Sequence, residues 1–283
     1  MRTHITTIHI SENMTNDKTH LQKQVTIVDS TKDGPLISVT AGLHGDEISG
    51  VQSVILASKQ IRPKIGKIRY VPILNEKAYS KQTRFYQDNS EDIDLNHIMP
   101  GNDTSNAAQL AKHIFELIRN SDYHIDIHSA RVGQINYPHV RADLSHEKTK
   151  KLALAQPFAV LDWPATKTTL RGCLNKEDVG AITIEAGEGL QVHYQDELHK
   201  LITSAIALEP LNEKPDIYTN HKWIRATEND TCIVAPGEQV VQGQIISEKG
   251  ITSPFDGLII GTYLNPVAKS RLVHIAYDMV KVK

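Results

Sequence analysis

From residue 25 to residue 189, short β-branched runs alternate with stretches whose apolar residues recur at helical spacing. A chain with that alternation folds as a sheet covered by helices, because each crossover is long enough to return the next strand parallel to the last. Residues 36–40 read as a buried strand, entered through the turn Thr31-Lys32-Asp33-Gly34-Pro35. A helix is expected over 47–60, with Val51, Val54, Ile55 and Ala57 on its apolar face. Residues 67–74 form the next strand, and a long polar stretch fills 75–100. The strongest helical pattern is 102–119, with Thr104 or Ser105 as cap and Leu110, Ile114, Leu117 and Ile118 at core spacing. Strands are expected at 123–128, 158–161 and 181–185, and helices at 145–156 and 192–208.

After Pro215 the texture changes to short strands punctuated by Pro236-Gly237, Gly243, Gly250, Pro254, Gly257 and Gly261, the pattern of a small all-β unit. The expected organisation is a polar N-terminal segment (1–24), an α/β catalytic domain with a mixed, mostly parallel sheet (25–210), and a smaller β-rich C-terminal domain (211–283). With 31 basic and 33 acidic residues, no field is present to attract nucleic acid or an anionic membrane. No run approaches a membrane span and the first 24 residues lack the apolar core of a secretory signal, so a cytoplasmic location is expected. Cys173 and Cys232 are too few and too far apart for a disulfide framework or a cysteine metal motif, and both are expected to be reduced.

The candidate chemistry lies in three separated patches: His44 and Glu47, His128, and Glu185. Each follows or ends a predicted strand, and in open α/β sheets sites gather at the carboxyl ends of strands. Two imidazoles and one carboxylate suit a tetrahedral zinc that keeps one position open for water, and a further carboxylate can take that water's proton. A His-x-x-Glu pair is weak evidence alone, since the chain has 14 histidines and repeats the spacing at His113 and Glu116, where a solvated helix face is the simpler reading. Gly42 and Gly45 set the first pair apart by letting the backbone turn sharply there. Asp126 and His128 are two apart on a strand and share a face, as suits a carboxylate that orients an imidazole, or one that merely ties two strands together. Glu185 sits among Ile182, Ile184 and Ala186, where a carboxylate is costly unless it is paired or has chemical work to do.

These motifs, in this order, resemble the succinylglutamate desuccinylase and aspartoacylase family, relatives of the zinc carboxypeptidases. The resemblance rests on Gly42 to Glu47, Thr83-Arg84-Phe85-Tyr86, Asp94-Leu95-Asn96, Pro100-Gly101, Asp126-Ile127-His128 and Glu185-Ala186-Gly187, and it spans about residues 25–210. It implies a zinc-dependent deacylase that cleaves the linear amide of an N-acyl amino acid or a similar small substrate, with one Zn²⁺ per chain held by His44, Glu47 and His128. Glu185 would be the general base, Arg84 would polarise the scissile carbonyl, and Asn96 would bind the substrate carboxylate. The family carries arginine after Asp-Leu-Asn, whereas this chain has His97. Arginine grips carboxylate bidentately and is always charged, so this substitution bears directly on the usual acidic substrate.

The C-terminal motifs 236–244 and 253–257 resemble the sandwich of biotinyl and lipoyl carrier domains, but the turn Glu248-Lys249-Gly250 lacks the Met-Lys-Met signature. Lys249 is therefore expected to be unmodified and the unit to act as a lid or wall. Two rivals stand beside the deacylase: a zinc carboxypeptidase for small peptides, and a silent relative that binds a carboxylated ligand. The presence of Glu185 argues against the second, because a binder needs no base. A homo-oligomer is compatible with every reading.

Overall fold

The structure is a computed structural model and describes residues 3–13, 20–88, 90–131, 133–188, 214–226, 230–263 and 271–280. The N-terminal residues, expected as a polar segment, instead pair as an antiparallel hairpin of β1 (His4–Asn13) and β2 (His20–Asp29). Its β-branched residues suit a pleated edge, and Val25 and Val28 of β2 are buried. Next come β3 (Leu36–Ala41), α1 (Ile48–Gln60) and β4 (Lys67–Val71). The stretch 75–100 is less irregular than its polarity suggests. It holds α2 (Glu76–Lys81), the short hairpin β5 (Tyr86–Asp88) and β6 (Glu91–Ile93), and a 3₁₀ turn at Leu95–His97.

The expected helix at 102–119 is α3 (Asn106–Ile118), capped by Ser105, whose hydroxyl accepts the Ala108 N–H. After it come β7 (Tyr123–His128), β8 (Gln134–Ala142), α4 (Glu147–Leu154), β9 (Ala159–Asp162), α5 (Leu170–Lys176) and β10 (Gly180–Glu188). Strand β8 and helix α5 have no counterpart in the sequence reading, and the helix expected at 192–208 lies outside the described residues. The remaining elements are β11 (Ile217–Arg225), β12 (Gln239–Val240), β13 (Gly257–Tyr263) and β14 (Arg271–Val280).

One sheet joins all of these strands except β5 and β6, in the order β1-β2-β4-β3-β7-β10-β8-β9-β11-β14-β13-β12. Parallel pairing is confined to β3–β4, β3–β7, β7–β10, β8–β9 and β9–β11. The sheet is thus mixed and not mostly parallel: two parallel blocks, β4-β3-β7-β10 and β8-β9-β11, meet at the antiparallel pair β10–β8. The residues after 215 do not make a separate sheet either: β11 runs parallel to β9, and β13 pairs with β8. Among the described residues of that part there are strands and turns but no helix.

Helices α1 and α4 cover one face of the centre and α3 and α5 the other, each with its own apolar cluster. Strand alternation then divides the side chains. Ile37, Val39, Ile125, Ile127, Ile182 and Ile184 pack with Val51 and Val54 of α1. Their alternates, among them Thr40, His124, Asp126, His128 and Glu185, take the opposite face, and there they are buried. A parallel block with such polar residues on one face is unusual unless they bond one another or serve a site.

Candidate active site

The carboxyl ends of β3, β7 and β10 lie side by side. Thr40 is level with Asp126, Ala41 with Ile127, and Glu185 with His128. After β3 the chain turns through Gly42, whose φ of +66° favours a residue without a Cβ. Gly45 passes so close to α2 that a Cβ would stand 2.1 Å from the Ala78 carbonyl carbon. These two glycines set His44 and Glu47 at the N-terminal end of α1, where Glu47 occupies the cap position.

Glu47 is the hub. Its Oε1 lies 2.9 Å from His44 Nδ1 and accepts from Arg84 at 2.7 Å. Its Oε2 lies 3.1 Å from His128 Nδ1 and accepts the Ser129 N–H at 3.1 Å. The far nitrogens are held as well, His44 Nε2 by Asp94 at 3.2 Å and His128 Nε2 by Asp126 at 2.7 Å. Asp126 is itself anchored, its other oxygen accepting the Thr40 hydroxyl, which contacts His124 Nε2 at 2.9 Å. A buried polar file therefore runs from His124 through Thr40 and Asp126 to His128.

Burial works against charge here, yet the carboxylates prevail on both ligand-type imidazoles. Glu47 and Asp94 lift His44 above its usual pKa, and Asp126 and Glu47 lift His128 well above it. Reciprocally, and again against burial, His128 and His44 hold Glu47 well below the usual carboxylate range, and His44 helps to bring Asp94 to about 2. The ligand atoms of His44, Glu47 and His128 all lie within 4.8 Å of one another. Buried electron-pair donors that draw protons onto two rings are a donor set that would accept a cation in the protons' place, so the residues fit a metal ion.

The three residues open onto a cavity of about 400 Å³, lined also by Arg84, Asp94, Asn96, His97, Asp126 and Glu185. Arg84 is fixed by the loop whose carbonyl accepts the Gly45 N–H at 3.3 Å. Its Nε–H is buried and has no acceptor among the described residues. Asn96 turns its side-chain oxygen to the Leu170 N–H at the start of α5. His97 is well exposed at the rim, 3.8 Å from Asp94 Oδ2.

The adjoining wall takes in the C-terminal unit expected as a lid or wall, but its residues were not picked out from the sequence. Strand β8 supplies Asn136 and Arg141, which hold the two oxygens of Glu185 at 3.2 and 2.8 Å. Trp163, His221, Trp223 and Arg271 also line the cavity. His221 stacks on Trp163 at 3.7 Å between centroids, and His274 stacks on Trp223 at 4.2 Å. The signal that could have found this wall was Trp223 with His221 two residues before it, which as a strand pair would share one face.

The profile of the succinylglutamate desuccinylase/aspartoacylase catalytic domain matches residues 33–208, more than half of the chain. The chain belongs to this family. Solved structures of the family share its fold. A succinylglutamate desuccinylase/aspartoacylase from Rhodobacter sphaeroides is 16% identical with a TM-score of 0.79, covering 99% of this chain and 96% of its own. A succinylglutamate desuccinylase from Silicibacter sp. is 15% identical with a TM-score of 0.77, covering 97% and 95%. The product-bound ectoine utilization protein EutE (DoeB) from Ruegeria pomeroyi is 13% identical with a TM-score of 0.75, covering 96% and 95%. None of the curated proteins matches by sequence. The family's catalytic span contains His44, Glu47, Arg84, His128 and Glu185, whereas His221, Trp223, Arg271 and His274 lie beyond it. Cys173 and Cys232 are free, and among the described residues no helix is long and apolar enough to cross a membrane.

Proposed function

We propose that the protein is a zinc-dependent deacylase that hydrolyses the linear amide of an N-acyl amino acid or a similar small substrate. The observation that carries this reading is the register of β7 and β10: it sets Glu185 level with His128, beside the buried cluster of His44 and Glu47, on one cavity of about 400 Å³. His44, Glu47 and His128 would hold one Zn²⁺ per chain, and such an ion supplies Lewis acidity that makes water nucleophilic near neutral pH.

The chain's own residues do the rest. Asp126 and Asp94 accept from the Nε2 positions of His128 and His44, which fixes both rings with Nδ1 turned to the ligand cluster. Glu185 takes the proton of the attacking water and passes it to the leaving amine. Arg84 keeps a buried N–H that has no acceptor among the described residues, a donor suited to the oxygen of the scissile carbonyl as charge develops there. Asn96 and His97 would meet the carboxylate of the substrate at the rim. In this reading residues 25–210 form the catalytic unit and residues 211–283 a wall continuous with it, in a cytoplasmic enzyme that acts on a small molecule.

The test is turnover by the zinc-loaded protein on a panel of N-acetyl, N-succinyl and longer N-acyl amino acids, with blocked dipeptides alongside. Hydrolysis of at least one N-acyl amino acid, abolished by chelation and restored by zinc, is the expected result. Cleavage of the dipeptides alone would make the protein a peptidase, and binding without turnover would make it a silent relative.

A further inference from the structure

Glu185 is placed by more than its own strand. Arg141 donates from one terminal nitrogen to Glu185 Oε1 at 2.8 Å, and Asn136 donates to Oε2 at 3.2 Å. The guanidinium is in turn held at two other points. Its Nε–H faces His139 Nε2 at 3.4 Å, and its plane lies 4.5 Å over the ring of Trp163.

His139 can serve as that acceptor because of its own partner. Its Nδ1 lies 2.7 Å from the Tyr137 carbonyl, which only an N–H can approach so closely, so the lone pair is on Nε2. Burial and the neighbouring Arg141 bring its pKa down to about 3, which keeps the ring in this neutral form. Trp163 is backed on its side by His221, whose Nδ1 is 3.1 Å from His274 Nε2. Trp223 and then Arg271, 5.0 Å over its ring, continue the stack.

We propose that Arg141 is a positioning residue for Glu185, oriented by His139 and Trp163 so that the carboxylate stays in one rotamer beside His128. This rests on the reading of Glu185 as the base. A glutamate has three rotatable bonds, and a base displaced by about 1 Å can cost a hundredfold in rate. Two fixed donors on its two oxygens leave it a single setting. The residues that back Trp163 come from β11 and β14, beyond the family's catalytic span, so the last strands of the chain would act on the reaction through Arg141.

The experiment uses the full zinc-loaded chain with Arg141→Met, which retains bulk against Trp163 but donates no hydrogen bond. Substrate is whichever N-acetyl amino acid the wild type turns over fastest, and crystal structures of both proteins provide a readout that needs no substrate. We expect kcat to fall about a hundredfold with KM nearly unchanged, one zinc retained, partial recovery with added guanidinium, and the Glu185 carboxylate moved from its wild-type position. A rise in KM at unchanged kcat would make Arg141 a substrate ligand and overturn the proposal. An unmoved Glu185 with wild-type kcat would leave only a structural ion pair. Should Arg141→Met fail to fold, Arg141→Lys keeps the cation while losing the contact to His139, and a smaller loss in kcat alone is expected. Glu185→Gln separates the two layers. If that variant keeps wild-type kcat, the base lies elsewhere; if it is inactive while Arg141→Met is normal, the base stands and the positioning claim falls.

Discussion

The two walls of the cavity treat the same side chain in opposite ways. On the wall built by β3, β7 and β10, each ligand-type imidazole touches two carboxylates, and both rings hold their protons more tightly than free histidine. In the adjoining wall of β8, β11 and β14, which follows β10 in the same sheet, His139, His221 and His274 sit near Arg141, the latter two against Trp163 and Trp223. Burial and Arg141 lower them, His139 to about 3, His221 to about 4 and His274 well below its usual value. Burial disfavours the cation on both walls, so neighbours decide the outcome. The two ligand-type imidazoles are set to hold positive charge, whereas those near Arg141, and His124 deeper on β7, which burial brings to about 4, stay neutral as packing groups.

The sharpest break in that contrast is metal content. His44→Ala and His128→Ala should lose the zinc, and with it measurable turnover, whereas His274→Ala should retain one zinc per chain. Metal analysis after dialysis checks this, and a zinc-free His274→Ala would erase the distinction between the walls.

A smaller effect is expected one step out from the metal. Asp126→Asn leaves His128 without its charged partner, and losses of about 10- to 100-fold in zinc affinity are usual for such changes. Competition with a chelator of known affinity measures it.

The wall of neutral imidazoles is sharpened by acid. In metal-free protein between about pH 6.5 and pH 5, unfolded chains protonate their histidines while folded His139, His221 and His274 do not. The unfolded state then binds more protons, so stability must fall as pH falls. His44 and His128, raised in the fold, already hold their protons there, so they oppose the decline only near pH 6.5 and add little slope once the unfolded chain is protonated too. Replacing His139 with Gln should make the decline of Tm with acidity shallower than in the wild type. An unchanged slope would mean that His139 takes up a proton in the fold.

The smallest expected effect is at the rim. His97→Arg should lower KM for acidic N-acyl amino acids several-fold, because guanidinium grips a carboxylate with two donors. An unchanged KM would leave position 97 without a part in binding.

The same contrast explains what could be read from the sequence. His44 and Glu47 follow a β-branched run, His128 ends one and Glu185 was expected to end another, so local pattern alone placed them near strand ends, although β10 continues to Glu188. Arg141 lies in β8, whose sequence Gln134 to Ala142 mixes polar residues with Pro138 and gives no clean alternation. Trp163 and His221 meet only because β11 joins β9, and Trp223 reaches the cavity from the same strand. Pairing between segments so far apart leaves no trace in local periodicity. The N-terminal hairpin was hidden for a related reason, since an edge strand buries little and its β-branched residues are interleaved with polar ones.

The ladder that joins β9 to β11 and β8 to β13 also limits how this enzyme can move. Val160 and Leu161 are in register with Ile217 and Tyr218, and Asn136 and Ile135 with Gly261 and Thr262. A hinge between the two walls would have to shear those backbone rungs, so the wall cannot swing out as a separate body. Whatever gate admits substrate must be made of side chains and loops at the mouth, over a frame that stays shut.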